Sequence, residues 1–399
     1  MKIIIHRGSH QIGGTAVEIS TASTSIIIDM GDELTIDSSC KPKPLNISGV
    51  TDKNGRCDAV LFTHYHGDHT GQLPNIRSDI PIYMGSLTKD ILLASAHNAE
   101  QDIINRLNSA NTFKAGKKLR IGDIYITPYV IDHSALDSCM FLIEACGKKI
   151  LHTGDFRTHG FRGKAVPVIL QNYIKNIDIL ITEGTNISRA NNEIITEMQL
   201  QNKVKEYMKE YKYVFAYTSS TNLERICGFS KAVPQGKYFI CDAYQYKLLE
   251  IIEDHLGKFS DLYKNIKKTI YGSNLVTKFQ DKGFLMMVRD NQMFRKIIPL
   301  FDKEKSIILY SMWDGYRTRP ESTIPEFLAL SGKWEYLHTS GHAYIEDIKA
   351  MVKTINPSYI IPIHTDKPEI MRDLFPDKNI ILSSDSEEIE IKQIINRNK

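Results

Sequence analysis

Along its first half the chain strings together short runs of β-branched and aromatic residues, separated by polar, glycine-bearing breaks. The runs have strand length and predict strands over 2–6, 15–20, 24–29, 59–63, 81–84, 124–130, 140–145, 149–153 and 177–182. One stretch follows a different period. Ile91, Leu92, Ala96, Ala99, Ile103, Ile104 and Leu107 recur every three or four residues, which predicts one helix over about 88–107 with Ser86 capping its start. From about Glu193 helices and strands alternate: helix 193–208, strand 214–217, helix 222–231, strand 238–241, helix 245–255 and strand 306–310. Such alternation implies βα units on a parallel sheet. Short strands return around His338 and at 360–364.

Composition adds bounds. A chain of 399 residues, 42% of them hydrophobic, can fill two domains or one large α/β unit. A formal net charge of +3 with no basic run tolerates a polyanionic partner without demanding one. Cys40, Cys57, Cys139, Cys146, Cys227 and Cys241 are scattered with no C-x-x-C pair, which reads as reduced thiols rather than a disulfide framework. The apolar stretch Ile3 to Ile5 is too short for a signal peptide, and no run of about 18 apolar residues occurs. A cytoplasmic location with no membrane partner is therefore expected.

The chemistry concentrates at residues 63–71, Thr-His-Tyr-His-Gly-Asp-His-Thr-Gly. His64, His66, Asp68 and His69 supply four metal donors within six positions, just after the strand-like Ala59-Val-Leu-Phe62, and Gly67 and Gly71 let the loop turn. A polar surface loop seldom uses three of a chain's 13 histidines in one turn. Three more donors also follow strands: His133 after 125–131, Asp155 after 149–153 and His364 after 359–363. Any one of them alone reads as a structural residue; together with the cluster they read as a second ring of ligands. Asp29, also at a strand end, suits a supporting role that orients the ligand loop.

These motifs resemble a known family. Asp29, His64-x-His66-x-Asp68-His69, His133 and Gly154-Asp155 are similar to the successive motifs of the metallo-β-lactamase fold. Thr182-Glu183-Gly184-Thr185, Leu337-His338-Thr339-Ser340-Gly341-His342 and Pro362-Ile363-His364 resemble the extra motifs of its β-CASP branch, most closely as they stand in ribonuclease J and its bacterial relatives. The resemblance implies an α/β fold, an αββα sandwich built from residues 1–195 and 335–399, with 196–334 inserted as a β-CASP α/β cap. It further implies that His64, His66 and His133 hold one metal, that Asp68, His69 and His364 hold the other, and that Asp155 bridges them. Zinc is the expected metal, and manganese also suits His/Asp donors.

Two such ions would acidify a shared water and clamp the oxygens of a phosphoryl displacement. Their charge, set against Asp68, Asp155 and a hydroxide, stays positive, which favours an anionic phosphodiester. Asp68, Glu183, His338 and His342 form the expected catalytic set. His342 is the general acid for the departing 3′-oxygen, Glu183 orients it and raises its pKa, and His338 binds a phosphate oxygen. In the cap, Ser219 and Ser220 with the following helix amides offer a phosphate seat, against plain N-capping by Ser220 or Thr221. Arg225 and Ser340 would add to that seat. The expected activity is a two-metal ribonuclease leaving 5′-phosphate and 3′-hydroxyl ends, with RNA as partner and a homodimer left open. The alternatives are an ester or lactone hydrolase, a DNA nuclease on the same fold, or a non-catalytic scaffold; DNA-devoted members generally lack the histidine matched by His364.

The chain departs from ribonuclease J in three places. Ser311-Met-Trp-Asp-Gly315 replaces a Gly/Ser-rich loop that reads a 5′-phosphate, and His364-Thr-Asp366 stands where His-Gly-Glu is common. The chain also ends about 35 residues after His364, so the further C-terminal domain that aids dimerisation is expected to be absent.

Overall fold

The computed structural model describes residues 1–34, 42–96, 99–189 and 194–391. The chain folds into two compact units, the first comprising Met1–Thr158, Arg162–Asn192 and Gly341–Lys399, the second His159–Phe161 and Glu193–Ser340.

The first unit is a sandwich of two seven-stranded sheets among the described residues. One sheet orders its strands Glu388–Glu390, Lys2–Arg7, Ala16–Ser20, Ser25–Ile28, Ala59–Leu61, Ile82–Gly85 and Asn111–Phe113. The other runs Asn379–Ile380, Tyr359–Ile363, Ile179–Glu183, Lys148–His152, Cys139–Ala145, Ile124–Val130 and Leu119–Ile121. Many of these strands are unbroken apolar runs because both of their faces are covered. Ile26 and Ile28 join Phe141, Ile143, Ile181 and Ile361 between the sheets, whereas Ile27 joins Val60, Phe62 and Met84 on the outer side. On the outer side of the second sheet, Leu142, Leu151, Leu180 and Ile360 pack against helices Ala165–Tyr173 and Ile345–Ile355. The layers are therefore helix, sheet, sheet, helix.

The helix expected over 88–107 is two helices, Ser86–Ser95 and Gln101–Asn108. The three-four period persists across both, so periodicity alone could not report the break. Ser86 is the first helical residue rather than the cap; Gly85 holds the N-cap position with no side-chain bond.

Among the described residues the second unit is built on a six-stranded, wholly parallel sheet in the order Thr269–Ile270, Tyr238–Cys241, Phe284–Val288, Tyr213–Tyr217, Ser306–Tyr310, Lys333–Tyr336. Helices Glu197–Glu210, Leu223–Ala232 and Ala243–Leu256 alternate with its strands. The first starts at a capping box formed by Thr196 and Gln199. Phe284–Val288, a central strand, was not expected: Phe-Leu-Met-Met-Val is apolar throughout and carries neither alternation nor a β-branched run. The strand before His338 ends at Tyr336. No described helix is long and apolar enough to cross a membrane. Five cysteines are free thiols, and Cys40 lies outside the described residues.

Candidate metal centre

Each strand of the first unit that ends at the centre hands its next residues to one site. Ala59–Leu61 leads to His64 and His66, and the short helix Gly67–Thr70 carries Asp68 and His69. The loop is held from behind. Asp29 Oδ1 accepts from the Thr63 amide at 2.7 Å, and its Oδ2 accepts from Thr63 Oγ1 and lies beside His69 Nδ1, both at 2.8 Å. Asp29 sits at φ 61°, in the left-handed region that short polar residues tolerate. At Gly31 the backbone runs so close to the loop that a Cβ would fall 1.6 Å from the Asp68 carbonyl oxygen. His364 follows Tyr359–Ile363 at φ 52°, with its amide donating to Gly8 O at 2.7 Å.

Two groups of donors result. In the first, His66 Nδ1 lies 3.2 Å from both His64 Nε2 and His133 Nε2. A tetrahedral ion bound at zinc–nitrogen distances puts its ligand nitrogens about 3.3 Å apart, so these three imidazoles fit a divalent metal. The second group is Asp68, His69, Asp155 and His364, with His69 Nε2 3.0 Å from Asp155 Oδ2 and His364 Nε2 3.3 Å from Asp68 Oδ2. Asp155 Oδ2 also lies 4.0 Å from His64 Nε2 and 3.9 Å from His133 Nε2, so one carboxylate oxygen faces both groups. A third set of donors adds Glu183 and His342 to Asp155 and His364.

The other ring nitrogen of four of these histidines is anchored, which sets ring orientation as a metal site requires. Thr63 Oγ1 is 3.0 Å from His64 Nδ1, Asp29 holds His69, Gly341 O is 2.5 Å from His133 Nδ1, and Thr185 Oγ1 is 2.8 Å from His364 Nδ1. Thr63 and Thr185 were not singled out from sequence. Their signal was position, directly before His64 and two residues after Glu183.

Electrostatics follows burial and neighbours. Burial and the adjacent histidines hold His64 well below the ordinary imidazole pKa. Burial does the same for His133 and brings His66 down to about 4, leaving neutral rings with lone pairs to donate. Burial pushes the Asp155 pKa up, but His364, His69 and His342 outweigh it and keep the carboxylate ionised far below its usual range. Burial also works against a charged His342, yet Glu183 and Asp155 prevail and raise it above the ordinary value. His342 Nδ1 is 3.2 Å from Glu183 Oε2 and 3.5 Å from Asp155 Oδ2. Glu183 is fixed by backbone amides, Phe156 N at 2.8 Å and Ala343 N at 3.4 Å on Oε1, and Thr185 N at 3.4 Å on Oε2.

His338, Ser219, Ser220, Arg225 and Ser340 belong to the second unit. Ser219 Oγ is 3.0 Å from Thr221 Oγ1, and Ser220 Oγ accepts from Arg289 Nη1 at 2.8 Å. Neither Ser220 nor Thr221 caps the helix that follows, because Asn222 holds the N-cap position. Ser340 presents its carbonyl to His159 Nε2 at 2.8 Å. Arg225 corrects the sequence expectation: it is fully buried and its guanidinium is engaged within the protein, so it adds no surface charge to a phosphate seat.

Similarity to known proteins agrees with this geometry. Residues 27–209 match the β-lactamase superfamily domain, and residues 330–372 match the Zn-dependent metallo-hydrolase RNA specificity domain. The fold and the donor groups define a metallo-β-lactamase-fold protein suited to divalent metal. The two matches and the relatives together support a β-CASP metallo-β-lactamase protein similar to ribonuclease J. It is 23% identical to Ribonuclease J of Helicobacter pylori over 432 aligned positions, covering 98% of this chain and 61% of that protein. Ribonuclease J of Mycoplasma genitalium is also 23% identical, across 91% of this chain and 67% of its own length. Endoribonuclease ysh1 of Emericella nidulans is 31% identical over 150 positions, 32% of this chain and 17% of that protein. The chain thus spans about 60% of the length of the Helicobacter relatives. A solved structure of a protein of unknown function from Enterococcus faecalis shares the fold, with a TM-score of 0.77 and 21% identity over 97% of this chain and 99% of that one.

Proposed function

We propose that the chain is a metal-dependent ribonuclease that hydrolyses RNA phosphodiesters to leave 5′-phosphate and 3′-hydroxyl ends. The observation that carries this reading is the Glu183–His342 pair, 3.2 Å apart and beside Asp155. Hydrolysis at phosphorus needs a proton for the departing oxygen, and a carboxylate-backed imidazole is the ordinary donor. An ester or lactone hydrolase has less need of one. The match of residues 330–372 to an RNA specificity model, and the names of the relatives, support RNA as substrate.

We assign one ion to His64, His66 and His133 and a second to Asp68, His69 and His364, with Asp155 shared. Ions held there supply Lewis acidity and an acidified water. Zinc is the assignment for both. Glu183 holds His342 through Nδ1, which directs Nε2 outward; there it surrenders a proton to the departing 3′-oxygen. His338 and Ser340, with Ser219 and Ser220, are assigned to substrate phosphates.

The test is incubation with labelled RNA, labelled DNA and a generic ester, each with and without chelator. Chelator-sensitive cleavage of RNA alone is expected. Ester turnover without RNA cleavage would replace this reading with that of a small-molecule hydrolase.

A further inference from the structure

Beneath His338 the second unit contains a buried ion pair that the catalytic scheme does not use. Arg225, on helix Leu223–Ala232, and Glu197, at the start of helix Glu197–Glu210, are 0% and 1% exposed. Arg225 Nε lies 3.1 Å from Glu197 Oε2, and Nη2 donates to Glu197 Oε1 at 2.7 Å and to Thr339 O at 2.8 Å. Nη1 donates to Ser311 O at 3.0 Å and has two further acceptors for its other hydrogen, His338 Nδ1 at 3.1 Å and Ser311 Oγ at 3.3 Å. All five guanidinium hydrogens therefore have acceptors.

The contact with His338 has a chemical consequence. Arginine can only donate, so His338 Nδ1 must accept, and the ring's proton must sit on Nε2. A second proton on Nδ1 would face the guanidinium charge directly. We infer that Arg225 is a positioning residue that locks His338 as the neutral Nε2–H tautomer, turning it into a fixed hydrogen-bond donor for a substrate phosphate oxygen. The lock separates the two histidines of the motif. His342 is backed by a carboxylate and can carry and give up a proton; His338 is backed by a cation and can only hold one out. Glu197 makes the arrangement tolerable, since a buried guanidinium without a carboxylate would be strongly unfavourable. The donor role, though not the tautomer, rests on the proposed ribonuclease reading.

Long-range nitrogen–proton correlation spectra of the full chain, labelled with ¹⁵N-histidine, read the tautomer directly. The His338 signal is identified by its loss in His338→Gln. A single Nε2–H form is expected; an Nδ1–H form or an imidazolium at neutral pH would overturn the inference. Arg225→Met alone strands Glu197, so the variant to compare is Arg225→Met with Glu197→Leu, which replaces the pair by apolar side chains. It should fold and bind metal as before, show mixed His338 tautomers, and raise KM for RNA about tenfold with a smaller change in kcat. Retention of the single Nε2–H form in that variant would also overturn the lock. A wild-type protein that shows the Nε2–H form but cleaves no RNA would remove the ribonuclease reading and leave the lock standing.

Discussion

Thr185 Oγ1 lies 2.8 Å from His364 Nδ1 and 3.2 Å from His342 Nδ1, so one hydroxyl touches both a proposed metal ligand and the proposed acid. The residue ends the Thr-Glu-Gly-Thr motif, and Glu183 of the same motif contacts the same nitrogen of His342. The proposed metal binding and the proposed proton delivery thus share a wall made by one strand end. Substitutions can still separate them, because each histidine has a partner of its own.

His342→Ala should keep the metal content of the wild type and lose about 10²- to 10⁴-fold in single-turnover RNA cleavage, the usual worth of a positioned acid. Elemental analysis alongside the kinetics checks it. Cleavage at the wild-type rate would exclude His342 as the proton donor.

Asp29→Ala should weaken metal binding by about 10- to 100-fold, because it frees His69 Nδ1 and the Thr63 amide together. Competition against a chromogenic chelator measures the affinity. Thr63→Val keeps both of those bonds, removes only the hydroxyl's contacts with Asp29 Oδ2 and His64 Nδ1, and should lose less.

Gly31→Ala should destabilise the protein by about 3 kcal/mol, since its Cβ would sit 1.6 Å from the Asp68 carbonyl oxygen and backbone must move to admit it. Gly116→Ala, with nothing within 4 Å of its Cβ but a φ of 73°, is the control for conformational strain alone. Denaturant melts of the two variants separate overlap from strain, and equal losses would show that crowding at Gly31 is relieved.

Exhaustive chelation should lower Tm and addition of zinc should restore it. Without ions, the buried Asp155 carboxylate and the convergent imidazoles lose their common partner. Calorimetry with and without chelator is the measurement; an unchanged Tm would mean that the donors bind no stabilising ion.

The donor cluster was readable from the chain because the residues involved are neighbours: His64, His66, Asp68 and His69 are carried by a single loop and short helix after one strand. His133, Asp155 and His364 were also readable, since each directly follows an apolar strand, and strands of one sandwich end along common edges. The strand Phe284–Val288 and the break between the two helices at 86–108 were not, because an unbroken apolar run and a continuing three-four period carry no register or boundary signal.

By itself the sequence determined which donors this protein has, and that the metallo-β-lactamase motifs come in order. Only the tertiary structure decided how they are shared. That Asp155 Oδ2 faces both donor groups, that Thr185 braces His364 and that Arg225 is buried against Glu197 are contacts between residues 22 to 209 positions apart. Contacts at that separation depend on how strands and helices pack, and local pattern holds no record of it. Arg225 shows the difference most plainly: on the helix it reads as a surface charge, and burial with a carboxylate makes it an internal support.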